Sequence, residues 1–118
     1  MKILLVDDHH DTMFVLMKLI RALGHDVQMA VDGFQALEIA SAWKPQCVLL
    51  DIALPKMDGY VLAVRLRSEC GLESARIVAL SGYPKDAQRF AESGMDDYLI
   101  KPVDLAELMC VLGVPPPP

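Results

Sequence analysis

Three acidic residues of this 118-residue chain stand directly after short apolar runs: Asp7 and Asp8 close LLVDD, and Asp51 closes CVLLD. A hydroxyl, Ser81, ends VALS, and an ammonium with a proline behind it, Lys101 and Pro102, ends YLIKP. A charge beside a core is costly unless something pairs it. If the three carboxylates meet, each pair at about 5 Å repels by about 3 kcal/mol at an effective dielectric of about 20. No stability argument favours such a cluster, whereas a hard divalent cation, which takes oxygen ligands, explains it. Mg²⁺ fits best, because it needs few protein oxygens and keeps several waters. Asp7 and Asp8 alone would equally suit a solvated turn or helix start, where carboxylates are stabilised in any case. Asp51, at the end of an apolar strand, shifts the balance toward the cation.

The elements that position these residues alternate. KILLV (2–6), DVQMAV (26–31), QCVLL (46–50), RIVAL (76–80) and DYLI (97–100) read as strands, and the near-continuous apolar character of three of the five marks strands covered on both faces. Between them, Phe14, Leu16, Met17, Leu19, Ile20 and Leu23 keep helical spacing up to Gly24. Asp32 caps a second helix carrying Ala36, Leu37, Ile39, Ala40 and Trp43, which must finish before Pro45. A third follows Gly59 with Val61, Leu62, Val64 and Leu66 on its apolar side. Pro84 suits the first turn of a fourth, stopped by Gly94, and Asp104 with Glu107 forms a capping box for a fifth. Such alternation implies right-handed crossovers and an α/β fold, a parallel sheet with helices on both faces. In that architecture ligands bind beyond the carboxyl ends of the strands. Asp7, Asp8, Asp51, Ser81 and Lys101 all fall there.

Composition narrows the function further. A hydrophobic content of 53% with 23% charged residues describes one globular domain. The short apolar runs and the lack of a secretory leader predict a soluble, cytoplasmic protein with no membrane insertion. A net charge of −5 argues against nucleic acid or an anionic membrane as direct partners. Cys47, Cys70 and Cys110 are odd in number and lack metal spacing, so they read as small buried hydrophobes in a reducing compartment. Residues 1–113 form the expected domain, and the proline-rich tail, residues 114–118, is expected to be an extended end or the start of a linker.

LLVDD (4–8), LLDIALPKMDG (49–59), ALSGY (79–83) and YLIKP (98–102), in this order and spacing, resemble the receiver domains of two-component response regulators. The resemblance implies a flavodoxin-like, CheY-like (βα)5 fold of five strands in the order 2-1-3-4-5. It implies that Asp51 is the phosphoryl acceptor, fed by a phosphohistidine on a sensor histidine kinase or a histidine phosphotransfer protein. Asp8 directly, Asp7 through water, Asp51 and the backbone carbonyl of Ala53 would hold Mg²⁺. Lys101 and Ser81 would stabilise the transferring group, the Lys101–Pro102 bond would be cis, and Ser81 with Tyr98 would act as switch residues for the face formed by the fourth helix, fifth strand and fifth helix. Such a domain is a signalling module rather than an enzyme. The phrasing LDIALPKMDGY with ALSGY looks more like receivers attached to hybrid sensor kinases than like those of DNA-binding regulators.

Some positions depart from the commoner family pattern. Ala53 has no side chain to orient an attacking water and Tyr83 is bulky, so both should slow loss of phosphate. His9 and His10 read as a solvated helix start rather than as ligands. A haloacid-dehalogenase-type phosphatase would need a second acid where Ala53 stands. A flavin module would need a Ser, Thr and Gly-rich loop in place of DDHHDT, and a nucleotide hydrolase would need a GxxxxGK loop. A phosphorylation-independent, receiver-like interaction module is the remaining alternative. Its signature would be loss of Asp51 or Lys101, and both are present.

Overall fold

The computed structural model describes residues 1–113. The tail expected at residues 114–118 lies outside the described residues. Five strands, β1 (Lys2–Val6), β2 (Asp26–Ala30), β3 (Cys47–Asp51), β4 (Arg76–Ser81) and β5 (Asp97–Ile100), alternate with five helices. These are α1 (His10–Ala22), α2 (Gly33–Trp43), α3 (Gly59–Glu69), α4 (Ala87–Ser93) and α5 (Leu105–Val111). All strand pairs are parallel and the order is β2-β1-β3-β4-β5.

Because side chains alternate across a strand, the sheet buries two cores. Leu4, Val6, Val48, Leu50, Ile77 and Ala79 face α2 and α3 with Ala36, Ala40, Leu62 and Leu66. Ile3, Leu5, Leu49, Val78, Leu80 and Leu99 face α1 and α5 with Leu16, Ile20 and Leu108. The central strand β3 is buried at every position, including its terminal Asp51.

Register then places the polar residues. Val6 pairs with Leu50, so Asp7 and Asp51 are one step beyond a shared rung. Asp51 pairs with Leu80 and Ser81 with Ile100, which brings Ser81 and Lys101 to the same edge. The loop from β3 to α3 closes tightly over that edge. A Cβ on Gly59 would lie 2.7 Å from Leu50 Cδ1 and 2.8 Å from both the Asp51 carbonyl oxygen and Ile52 Cα, so only glycine fits.

Several helices differ in detail from the sequence reading. In α1 the buried face is Met13, Leu16, Met17 and Ile20, while Phe14 and Leu19 are exposed. In α3 the core side is Tyr60, Leu62, Ala63 and Leu66, and Val61 and Val64 face solvent. Apolar residues surround that helix almost completely, so periodicity alone could not select the face. Pro84 lies outside α4, whose start is set by Asp86 accepting the Arg89 backbone N–H (3.1 Å); the stop at left-handed Gly94 is as expected. Asp32 caps α2 through the Gln35 N–H. Asp104 caps α5 through the Ala106 N–H, with no reciprocal Glu107 bond among the described residues. Cys47 and Cys70 are buried, and burial pushes the Cys47 thiol up to about 12, whereas Cys110 is exposed at the outer side of α5.

One arginine fastens the lower edge. From α3, the Arg67 guanidinium donates to the carbonyls of Leu72 (2.7 Å), Ala75 and Gly94 (2.8 Å), and to the Asp96 carboxylate (3.0 Å). Asp96 in turn accepts the Ile77 N–H (2.8 Å). The fork thereby joins α3, the lead into β4 and the turn after α4. Truncation to Arg67→Met strands several carbonyls and should cost about 2–4 kcal/mol. Arg67→Lys should restore little, since an ammonium cannot span the same acceptors. Urea unfolding of the three forms measures this; a midpoint for Arg67→Met equal to the wild type would refute it.

Candidate functional site

At the carboxyl end of the sheet, Lys101 Nζ lies 3.1 Å from Asp7 Oδ2 and 3.1 Å from Asp51 Oδ2. Asp7 is completely buried and Asp51 is 3% exposed. Two buried carboxylates therefore share a single ammonium. Burial alone would lower the Lys101 pKa, but the hydrogen bonds and charges of Asp7 and Asp51 outweigh it and hold the ammonium above its ordinary value. A raised folded-state pKa contributes stability that is complete below the ordinary lysine value and is lost only as pH climbs through the folded value. The ammonium is thus charged throughout the neutral range.

The remaining oxygens of the two carboxylates are also occupied. Asp51 Oδ1 accepts the Ala53 N–H (3.0 Å), which turns the chain sharply after β3. Asp7 Oδ1 accepts the His9 N–H (2.9 Å) at the entrance to α1. Asp8 is on the rim, with its side chain about one-third exposed (36%). One oxygen each of Asp7, Asp8 and Asp51, together with a ring nitrogen of His9, lie within 4.8 Å of one another. The structure thus brings Asp7, Asp8, Asp51 and Lys101 together, as their positions at the strand ends require. His9 is an exposed residue at the start of α1, as the sequence suggests, and its imidazole also reaches the acidic cluster; His10 stays outside it.

Ser81 is buried at the end of β4, and its Oγ accepts the Tyr83 N–H (3.1 Å). Half-buried Tyr98 on β5 donates its hydroxyl to the Tyr83 carbonyl (3.0 Å). Burial raises the Tyr98 phenol pKa, with the Ser81 hydroxyl pulling the other way. Tyr83 itself is exposed. The Lys101–Pro102 peptide bond is cis, and the Lys101 N–H donates to the Ser81 carbonyl (2.7 Å).

The donor set is all-oxygen apart from His9, partly open to solvent, and short of positive charge even with Lys101 in place. Those properties suit a hard divalent cation. Anionic ligands that bind such an ion also suit a lysine beside them.

A doubly wound parallel sheet with an acidic, lysine-bearing rim defines a class, and comparison with known proteins gives the family. Residues 3–112 match the response regulator receiver domain. The chain belongs to that family, which acts in two-component phosphorelay signalling. It is 34% identical over 110 residues to the DNA-binding dual master transcriptional regulator RpaA of Synechocystis sp., covering 92% of this chain and 46% of that protein. It is 39% identical over 115 residues to the sensor histidine kinase RcsC of Salmonella typhi, covering 97% of this chain and 12% of the kinase. The chain therefore spans less than half the length of these relatives. The solved receiver domain of the sensor histidine kinase PA1611 of Pseudomonas aeruginosa, with magnesium coordinated in its active-site cleft, superposes with a TM-score of 0.82 at 35% identity, covering 94% of this chain and 93% of that one. No described helix is long and apolar enough to cross a membrane.

The shared ammonium makes an asymmetric prediction. Lys101→Met leaves two buried carboxylates uncompensated and should destabilise the metal-free protein by about 3 kcal/mol. Asp51→Asn keeps the shape, removes one negative charge and should be at least as stable as the wild type. Urea unfolding with a chelator present tests both, and an unchanged Lys101→Met midpoint would contradict the first.

Proposed function

We propose that residues 1–113 form a phosphoacceptor receiver in which Asp51 takes a phosphoryl group from a phosphohistidine on a sensor histidine kinase or histidine phosphotransfer protein. The observation that carries this reading is the placement of Asp51 at the buried end of β3, with Lys101 bridging it to Asp7 at 3.1 Å on each side. An Asp51 oxygen forms the new bond to phosphorus as the phosphorus–nitrogen bond of the donor breaks and the imidazole leaves. A carboxylate is a modest nucleophile, so catalysis is positioning and charge neutralisation. The Ala53 N–H orients the Asp51 carboxylate, and the Lys101 ammonium neutralises an incoming phosphoryl oxygen. The Ser81 hydroxyl is the group available to a second oxygen.

Mg²⁺ is the proposed cofactor, held by Asp7, Asp8 and Asp51 with the Ala53 carbonyl. When bound it supplies positive charge to the transferring phosphoryl group. Support comes from the acidic donor set and from the magnesium in the cleft of the PA1611 receiver. The domain acts as a signalling module rather than as a turnover enzyme. Ser81 and Tyr98 are the proposed switch pair, whose rearrangement shifts the face formed by α4, β5 and α5. Identity to RcsC (39%) and to the PA1611 receiver (35%) supports attachment to a hybrid kinase; RpaA (34%) is the counterpart for a regulator with a DNA-binding output.

Incubation with acetyl phosphate and Mg²⁺, followed by intact-mass measurement, tests the central step. A gain of about 80 Da is expected for the wild type and not for Asp51→Asn. Equal gains in both, or none in either, would reject Asp51 as the acceptor. The second expectation concerns lifetime. Ala53 offers no side chain to a water attacking the acylphosphate, so Ala53→Asn should shorten the half-life of the phosphorylated form several-fold, about 1 kcal/mol in barrier. Loss of the mass increment with time gives the rate, and an equal or longer half-life in the variant would count against this role.

A further inference from the structure

His9 stands at the mouth of the acidic cluster, directly before α1. Its Nδ1 is hydrogen-bonded to Asp7 Oδ1 (3.1 Å) and lies 3.2 Å from Asp8 Oδ1 and 3.9 Å from Asp51 Oδ2. These spacings carry a geometric meaning. On an octahedral ion with bonds of about 2.1 Å, neighbouring donors are about 3.0 Å apart and opposite donors about 4.2 Å. The separations to Asp7 and Asp8 match neighbouring positions, and that to Asp51 falls between the two. Backbone and ring are both directed at this point, because the His9 N–H also donates to Asp7 Oδ1 (2.9 Å). The side chain is 64% exposed, which leaves the nitrogen reachable from solvent.

We propose that His9 is a further protein ligand of the cation site, beside Asp7, Asp8, Asp51 and the Ala53 carbonyl, and that this nitrogen makes the site favour first-row transition ions such as Mn²⁺ and Co²⁺ over Mg²⁺. The inference rests on the reading of Asp7, Asp8 and Asp51 as cation ligands. Mg²⁺ takes oxygen and gains little from an imidazole, whereas the affinity of a mixed nitrogen and oxygen site rises from Mn²⁺ through Co²⁺. A receiver built this way responds to the supply of such ions as well as to its phosphodonor. His10, the next residue, lies outside the cluster and contributes nothing to the selection.

Isothermal titration with MgCl₂, MnCl₂ and CoCl₂ on the full chain tests this, for the wild type, His9→Ala and Asp8→Asn. The Co²⁺-to-Mg²⁺ affinity ratio should fall about tenfold or more in His9→Ala, as loss of a metal-supporting imidazole requires, while Mg²⁺ affinity itself stays within about threefold. Pulsed electron paramagnetic resonance of the Mn²⁺-loaded protein should show a histidine ¹⁴N coupling that disappears in His9→Ala. It should persist in His10→Ala and in His25→Gln, the latter removing the nitrogen pair formed by His25 Nδ1 and the amino terminus (3.0 Å). An unchanged affinity ratio, or no ¹⁴N coupling in the wild type, would overturn the role of His9 alone. Failure of the wild type to bind Mg²⁺, or equal Mg²⁺ binding by Asp8→Asn, would overturn the cation reading beneath it.

Discussion

Everything at the functional end of this molecule depends on two buried carboxylates having only one ammonium between them. Asp7 and Asp51 are both sealed into strand ends, and Lys101 reaches both. The arrangement is electrically incomplete. Hydrophobic residues of similar volume at these positions would avoid the desolvation of three charges. The fold tolerates the deficit because each carboxylate oxygen has a donor: His9 and Ala53 supply backbone N–H groups to one oxygen of each pair, and Lys101 supplies the others. A site held in this way is ready for additional positive charge, which is the property a phosphoryl acceptor with a divalent cation requires.

The scaffold meets this demand through register rather than through loop flexibility. Parallel pairing of β1, β3, β4 and β5 fixes the heights of Asp7, Asp51, Ser81 and Lys101 with respect to one another. Gly59 lets α3 begin against the Asp51 backbone, at a distance that any Cβ would violate. The lower end of the same sheet is closed by Arg67, whose fork collects carbonyls from two segments, the loop before β4 and the turn after α4. The two ends thus use opposite strategies: satisfied polar groups below, and an unbalanced cluster above.

Strands and rim were legible in the sequence because both depend on short-range pattern. A buried parallel strand is a continuous apolar run, and the residue at its carboxyl end must lie at the ligand-binding edge. Helix faces were less legible. Phe14, Leu19, Val61 and Val64 are apolar and exposed, so in α1 and α3 hydrophobicity alone marks more surface than the core covers. Pro84 has the chemistry of a first helical turn, yet the Asp86 carboxylate supplies the cap and moves the start to Ala87. Arg67 carried no signal at all, since its acceptors are backbone carbonyls of residues whose side chains say nothing about it. His9 was visible as a residue type, but its orientation depends on how the chain turns from Asp7 into α1, and spacing does not encode that turn.

Packing is unevenly distributed among the helices. Within α4 the buried residue is Ser93, whereas α3 buries five positions and α5 three. The start of α4 is tied to the start of α3 by an exposed link from Arg89 to the Asp58 carboxylate (2.7 Å) and a partly buried one from the Asp86 N–H to the Tyr60 hydroxyl (3.0 Å). An exposed ion pair of that kind is worth about 0.2–1 kcal/mol. The inner side of α4 meets Tyr98 through an edge-on contact with Phe90, ring centres 6.1 Å apart. Tyr98 is anchored to the Tyr83 carbonyl, and the Tyr83 N–H is anchored to Ser81 Oγ. A group at Asp51 that drew the Ser81 hydroxyl toward itself would compete with the Tyr83 N–H and loosen the residue on which Tyr98 rests. The helix in contact with Tyr98 is the one with the fewest buried residues to hold it. In the proposed switch, a change in one hydrogen bond at the rim would therefore meet less packing at α4 than at α3 or α5.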